Sequence, residues 1–383
     1  MKKGKLSDLC IVIAGQSPQG SAYNDKGEGI EFHQGKKAFG ESYLTPSNVW
    51  TTEITKIAKP LDILMSVRAP VGPTNITDRR ICIGRGLAAI RCKEGVLQKF
   101  ILYALKNIES KIIGNDGAVF NSINKAQIEA LPVPIIPLSE QERIVSLLDA
   151  QFAKIDAIKA DAEKQLKEAK ALFQSTLKDY LTPKEGWVAK ALCDICLSIK
   201  DGDWVEKKDQ SESGIRLIQT GNIGVGVYKD KLESAHFINS ETFNRLRCEE
   251  VFADDILISR LPEPVGRTCI VPPMDGRFIT AVDCSIIKLK TTVVKPEYFL
   301  LYTQSREYFN NILSLCTGTT RQRISRKKLA EVKIPIPPID EQELIASHLY
   351  SISAKIQSLQ SNFDTTVTLC NDLKQSILKD IFG

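Results

Sequence analysis

The chain has 383 residues, 43% hydrophobic and 25% charged, with a formal net charge of +5. That length predicts two or three domains of a soluble protein. The mild positive excess permits an anionic partner without demanding one. No apolar run approaches the ~20 residues that cross a bilayer. The start, MKKGKLSDLC, has no signal-peptide core, and ten scattered cysteines form no framework. The expectation is a cytoplasmic protein with reduced thiols and no membrane contact.

Residues 1–133 predict a mixed α/β domain. Short β-type runs such as ILMSV (63–67) and LAAIRC (87–92) are separated by Gly and Pro turns. A helix is expected over Gln98–Ile113, then the polar loop GNDGAVFNSIN, then a short helix over Lys125–Leu131. VPIIP leads, extended, into PLSEQERIVSLLDAQFAKID. There Pro137, Ser139 and Glu142 have the form of a capped helix start. Apolar residues then recur at spacings of three and four, from Ile144, Leu148, Phe152, Ile155 and Ile158 on to Leu177. This is the narrow seam of a coiled coil. A helix of about 40 residues is roughly 60 Å long at 1.5 Å per residue. LTPKEGW, with Pro183 and Gly186, ends it and begins a linker.

The second half repeats this plan. DILMSVRAPVG (62–72) parallels DILISRLPEPVG (255–266), which is one residue longer. PIPPIDEQELIASHLYSISAKIQ repeats the helix start, with Asp340 and Glu343 in the capping positions and a seam running from Ile345 through Ile356 and Leu373 to Ile381. Pro134 aligns with Pro335 and Asp179 with Asp380, an offset of 201 in each case (335 − 134, 380 − 179). Residues 131–181 against 332–382 give 18 identities in 51 pairs. A repeat this long implies two copies of one structural unit. The expected fold class is α+β: two mixed α/β domains (1–133 and 183–334) joined by two long helices (134–182 and 335–383) forming an antiparallel coiled coil, as a pseudo-two-fold tandem repeat. The alternative is two amphipathic helices buried in separate domains.

Catalytic signatures are absent. His33, His236 and His348 have no metal-ligand spacing, and no GxSxG or HExxH occurs. Gly29 to Lys36 is one residue too long for a P-loop. Cys193 and Cys196 make a lone CxxC without a second pair, which reads as core packing. The strongest ligand signal is TGTTRQRISRKK at 317–328. Arg321, Gln322, Arg323 and Arg326 suit the edges of guanine and adenine, while Thr320, Lys327 and Lys328 suit phosphates. The matching loop of the first half offers Asn121, Ser122, Asn124 and Lys125. Arg68 and Arg260 close predicted strands, and Lys36, Lys37, Asn48, Thr220 and Asn222 are further polar loop positions. A solvated charge run is the alternative for the basic stretch.

The repeated frame, PLSEQERI and PPIDEQELI at the helix starts with QSxLKD at the helix ends, resembles the specificity subunit of type I restriction-modification systems. The resemblance implies that each variable domain is a target-recognition domain reading one half of a split, asymmetric site in double-stranded DNA. It implies a coil that acts as spacer and docks two methylation (M) subunits, with restriction (R) subunits joining that core. It also implies a non-catalytic chain that carries no cofactor, S-adenosylmethionine, ATP and magnesium belonging to the partner subunits. Base-contacting residues do not carry over, because they lie in the parts that vary. The alternatives are a coiled-coil adaptor with non-specific or no DNA binding, and an enzyme with an unrecognised site.

Overall fold

A computed structural model gives the fold over residues 1–112, 122–318 and 322–383. The chain forms two compact units, residues 1–162 with 363–383 and residues 163–362. Two helices of 44 residues, Leu138–Leu181 and Ile339–Phe382, each contribute a stretch to both units.

In the first unit, strand Lys3–Lys5 pairs antiparallel with Pro132–Pro134, so the first strand closes on the connector leading into the long helix. A four-stranded antiparallel sheet has the order Cys10–Ala14, Leu87–Cys92, Ile63–Ser66, Thr74–Ile76. Strand Ile63–Ser66 is buried on both faces, and its side chains alternate between two cores. Ile63 and Met65, with Ala88 and Ile90, meet Phe100, Ile101 and Leu105 of helix Gln98–Ile108. Leu64, with Leu87 and Ala89, meets Ile81 and Ile83. The second sheet has five strands, in which Ile30–His33 and Ile81–Ile83 run parallel. Ile144 and Leu148 of the first long helix share the larger core with Leu378 and Phe382 of the second. Each such buried side chain contributes about 1.5–3 kcal/mol. Further along, the Cys370 thiol meets the Ile155 carbonyl at 3.8 Å, so the two helix segments run antiparallel.

The second unit is built on the same plan. Val188–Ala191 pairs with Lys333–Ile336. The antiparallel sheet has the order Cys196–Asp201, Cys284–Leu289, Ile256–Ser259, Thr268–Ile270, with a bulge between Cys196 and Ser198. Ile215–Ile218 and Phe278–Thr280 form the parallel pair of its second sheet. Lys170 Nζ donates to Gln360 Oε1 at 2.6 Å, and Tyr180 Oη meets His348 Nδ1 at 3.3 Å, so these helix segments also run antiparallel.

Both helix starts carry a buried glutamine. Gln141 Oε1 accepts from the Leu97 amide (2.9 Å) and its Nε2 donates to the Ile136 carbonyl (3.0 Å). Gln342 repeats this with Lys295 (2.8 Å) and Pro337 (2.9 Å), and adds the Val293 carbonyl (3.1 Å). A neutral amide can donate and accept at once, so one side chain ties the helix start to the approach to a helix of the globular part.

Some boundaries differ from expectation. The helices begin at Leu138 and Ile339, which puts Ser139 and Asp340 inside the first turn rather than before it. The Pro137 carbonyl takes the Glu140 and Gln141 amides instead, and Glu343 pairs with Lys295 at 2.6 Å. Helix Gln98–Ile108 passes into a 3₁₀ turn, Glu109–Lys111, and Ile113 lies outside the described residues. On the seam, Ile158 is 57% and Leu373 50% exposed, while Leu378 and Phe382 are buried where Ile377 and Ile381 were the expected positions. A 3.6-residue turn drifts off any fixed spacing over this length.

Candidate nucleic-acid interface

In the first unit, loops at one end of both sheets lock together through backbone hydrogen bonds. Gly15 donates to Leu87 (2.9 Å), Gln16 to Ile83 (2.9 Å), Gly84 to His33 (2.8 Å), Gly86 to Gln34 (3.1 Å), Val67 to Gly86 (3.0 Å) and Ile123 to Val67 (3.1 Å). Ser17, Gln34, Arg85, Arg68 and Ser122 come to one rim this way, the last two as a bridge pair. A cleft of about 900 Å³ opens beside Ser17, Tyr23, Gln34, Lys37, Asn48 and Arg85. Strand Ile30–His33 forms part of its wall and is held by a buried charge network. Arg79 grips Glu31 with two bonds of 2.6 and 2.8 Å, the Ser47 amide adds a third at 2.7 Å, and His33 Nε2 lies 2.8 Å away. Burial pushes the Glu31 carboxyl up, but Arg79, Ser47 and His33 outweigh it and hold it at about 2. Burial pushes His33 down despite Glu31, which leaves the imidazole neutral at pH 7 with Nε2–H as donor.

The second unit makes the same end from different side chains. Gly202 donates to Cys284 (2.9 Å), Asp203 to Thr280 (2.7 Å), Ala281 to Ile218 (2.9 Å), Arg260 to Asp283 (2.8 Å) and Ile324 to Arg260 (3.3 Å). The buried Arg267 guanidinium donates to the Ile223 (2.8 Å) and Thr220 (3.0 Å) carbonyls, joining two of these loops. Arg323 lies 2.9 Å from Asp283, and Asp201 sits between Arg260 (3.5 Å) and Arg326 (3.7 Å). A groove of about 700 Å³ is lined by Leu197, Ser198, Asp201, Ser325, Arg326 and Lys327. These ion pairs keep the charges of Arg323 and Arg326 beside carboxylates at this end of the unit.

The sequence-selected residues divide by placement. Arg68, Lys36, Lys37, Gln322, Arg323, Arg326 and Lys327 are exposed, and Ser122 and Thr220 are half-buried. Lys36 and Lys37 lie on the 3₁₀ turn Lys36–Ala38, and Thr220 and Asn222 on Thr220–Asn222, which follow equivalent parallel strands. Others serve the fold. Asn124 caps helix Lys125–Glu129, exchanging bonds with Gln127, and Ser325 caps Arg326–Ala330. Lys125 approaches Glu129 at 3.5 Å, and Lys328 Nζ donates to the Leu315 carbonyl at 3.0 Å. Asn222 is buried between the Gln219 amide and the Lys229 carbonyl. Arg260 is 4% exposed and donates to the Val282 carbonyl; burial pushes its pKa down. Asn121, Thr320 and Arg321 lie outside the described residues.

Four rim residues escape sequence reasoning: Ser17, Gln34, Arg85 and Trp204. Gly84-Arg85-Gly86 does carry a signal, a cation between two glycines in a turn. Cys196 is core, its thiol pushed up to about 12 by burial, but Cys193 is exposed, contrary to the expectation that both pack inside. Among the described residues no His, Cys, Asp or Glu group could hold a metal ion, and no helix is long and apolar enough to cross a membrane.

The family described as the type I restriction modification DNA specificity domain matches residues 1–168 and 184–369. A putative type I restriction enzyme specificity subunit, MjaX, of Methanocaldococcus jannaschii is 43% identical over 169 residues, 43% of this chain and only 39% of that relative. The EcoBI specificity subunit of Escherichia coli is 22% identical over a 415-residue alignment covering 98% of this chain and 84% of the relative. Among solved structures, a chain from a study of complex assembly in the type I R-M system superposes with a TM-score of 0.72 at 17% identity, covering 100% of this chain and 97% of that one. The HsdS subunit from Thermoanaerobacter tengcongensis gives 0.50 at 17% identity, covering 100% and 96%. These structural likenesses concern the fold.

Proposed function

This chain belongs to the type I restriction modification DNA specificity family, and on that premise we propose that it is the DNA-reading, non-catalytic subunit of a type I restriction-modification complex, each unit reading one half of a split, asymmetric duplex site. One observation carries the reading: the same loop rim is built twice on one hydrogen-bonded frame and furnished differently. Equal rims would suit a palindrome. Ser17, Gln34 and Arg85 against Thr220, Gln322 and Arg323 suit two unlike half-sites. Residues 1–133 and 183–334 act as the target-recognition domains. Residues 134–182 and 335–383 act as spacer and as docking surface for two methylation subunits, which the restriction subunits join. S-adenosylmethionine, ATP and magnesium work in those partners. Arg323, Gln322, Gln34, Arg68 and Arg85 face base edges, and Lys36, Lys37, Arg326 and Lys327 face phosphates.

The test is co-expression with the neighbouring methyltransferase subunit, followed by methylation sequencing of the host genome. The expected result is a bipartite, asymmetric motif that vanishes when this chain is omitted. Methylation unchanged by its omission, or DNA binding blind to sequence, would favour an adaptor instead.

A further inference from the structure

We propose that Trp204 is a base-stacking contact of the second unit, its indole lying against bases of the half-site that this unit reads. The inference rests on the DNA-reading function above and adds to it a residue and a chemistry. Trp204 is 69% exposed. Single exposed apolar residues are ordinary; the mounting and the position of this one are not.

The mounting is rigid. The two residues before Trp204 are bonded into both sheets, Gly202 to the Cys284 carbonyl (2.9 Å) and Asp203 to the Thr280 carbonyl (2.7 Å). Asp203 Oδ2 also accepts from the Glu249 amide at 3.0 Å. A Cβ on Gly202 would sit 2.3 Å from the Thr280 oxygen and 2.4 Å from the Ala281 oxygen, so the turn is packed to contact. Beyond the turn, the indole Nε1 donates to Glu206 Oε1 at 3.3 Å. A ring displayed on a fixed stalk loses little freedom when it meets a partner.

The surroundings carry charges of both signs, with Glu206 between the indole (3.3 Å) and Lys208 (2.8 Å). Asp201, three residues earlier and so within about 10 Å along the chain, lies 3.7 Å from Arg326. Lys207 and Lys208, just beyond Trp204, are exposed. An exposed aromatic ring with lysines close along the chain can stack on bases while the lysines meet the backbone. The same place in the first unit holds Ser17, which follows Gly15 and Gln16 with matching bonds to Leu87 and Ile83. The two units therefore present stacking chemistry and hydrogen-bonding chemistry at one equivalent position.

The experiment uses the complex assembled with its methylation subunits and a duplex bearing the motif found by methylation sequencing. Trp204→Ala lowers affinity for that duplex roughly ten-fold or more, Trp204→Phe keeps most of it, and thermal melting of both variants matches wild type. Adding the duplex quenches tryptophan emission in wild type, and that quenching diminishes in Trp204→Phe although Trp50, Trp187 and the tryptophans of the other subunits remain. Wild-type affinity in Trp204→Ala, or undiminished quenching in Trp204→Phe, overturns the inference. A wild-type complex that binds no duplex and directs no methylation removes the DNA-reading function itself, and the inference with it.

Discussion

Replacing Gln342 by alanine tests how the second helix start is fastened. The side chain is fully buried and makes three bonds, from the Lys295 amide and to the Val293 and Pro337 carbonyls. At about 1 kcal/mol net for each bond the loss is about 3 kcal/mol, and stranding the half-buried Lys295 amide raises it toward 4 kcal/mol. Gln141 has two such bonds, to Leu97 and Ile136, so Gln141→Ala costs about 2 kcal/mol in the first unit. Urea titration measures the change in each unit, and hydrogen exchange reads the Lys295 amide directly, which loses its protection in Gln342→Ala. Trp187 helps as a local probe, because its indole donates to Glu341 Oε2 at 2.9 Å. A loss below about 1 kcal/mol for Gln342→Ala, or a protected Lys295 amide, refutes the clamp.

Ile155→Asp puts a carboxylate on a seam position that is 5% exposed; a stability loss of several kcal/mol is expected, and calorimetry of the chain checks it. Acid acts on particular buried groups. Glu31, held at about 2, contributes stability above its ordinary 4.5 that is lost as pH falls toward 2. His33, held below 6.5, adds a loss that begins as pH drops below that value. Asp203 in the second unit is raised to about 6, first by burial, so its contribution falls as pH rises from 3.8 to 6 and recovers on acidification. An acid titration followed by hydrogen exchange should show this loss in the first unit, and Glu31→Gln should flatten the response between pH 4.5 and 2. In binding assays on duplexes altered one base pair at a time, Arg85→Ala and Arg323→Ala should each relax one half-site by about 1–3 kcal/mol and leave the other unaltered. Lys327→Ala should weaken all sequences alike and reduce the salt slope by about one.

The frame was legible because the duplication supplies its own alignment. Gln141 and Gln342 stand at the common offset, and both prove to be clamps. The rim was less legible where register overrides side-chain chemistry. Ser66 and Ser259 each donate Oγ to the carbonyl two residues on, Arg68 and Leu261 respectively. The counterpart of Arg260 is therefore Val67, an inward position, and the extra residue in the second loop conceals this. Asn124 belongs to an Asn-x-x-Gln capping pair that the sequence displays, and it caps a helix where a polar loop residue was expected. Trp204 has no periodicity around it, so no pattern of spacing distinguishes it from a loop filler.

Gly15 and Gly202 mark where invariance should end and diversity begin. A Cβ on Gly15 would lie 2.2 Å from the Gly84 oxygen, and Gly202 is as tightly opposed by Thr280. Any larger residue at either place would pry the two sheets apart. Two positions further on, serine in one copy and tryptophan in the other are accommodated by matching backbones. Divergence among descendants of this frame is thus expected to be abrupt along the chain: glycine retained, and the reading residue beyond it free to change without a compensating mutation. A new sequence preference can arise by single substitutions there while the scaffold that presents them is inherited whole.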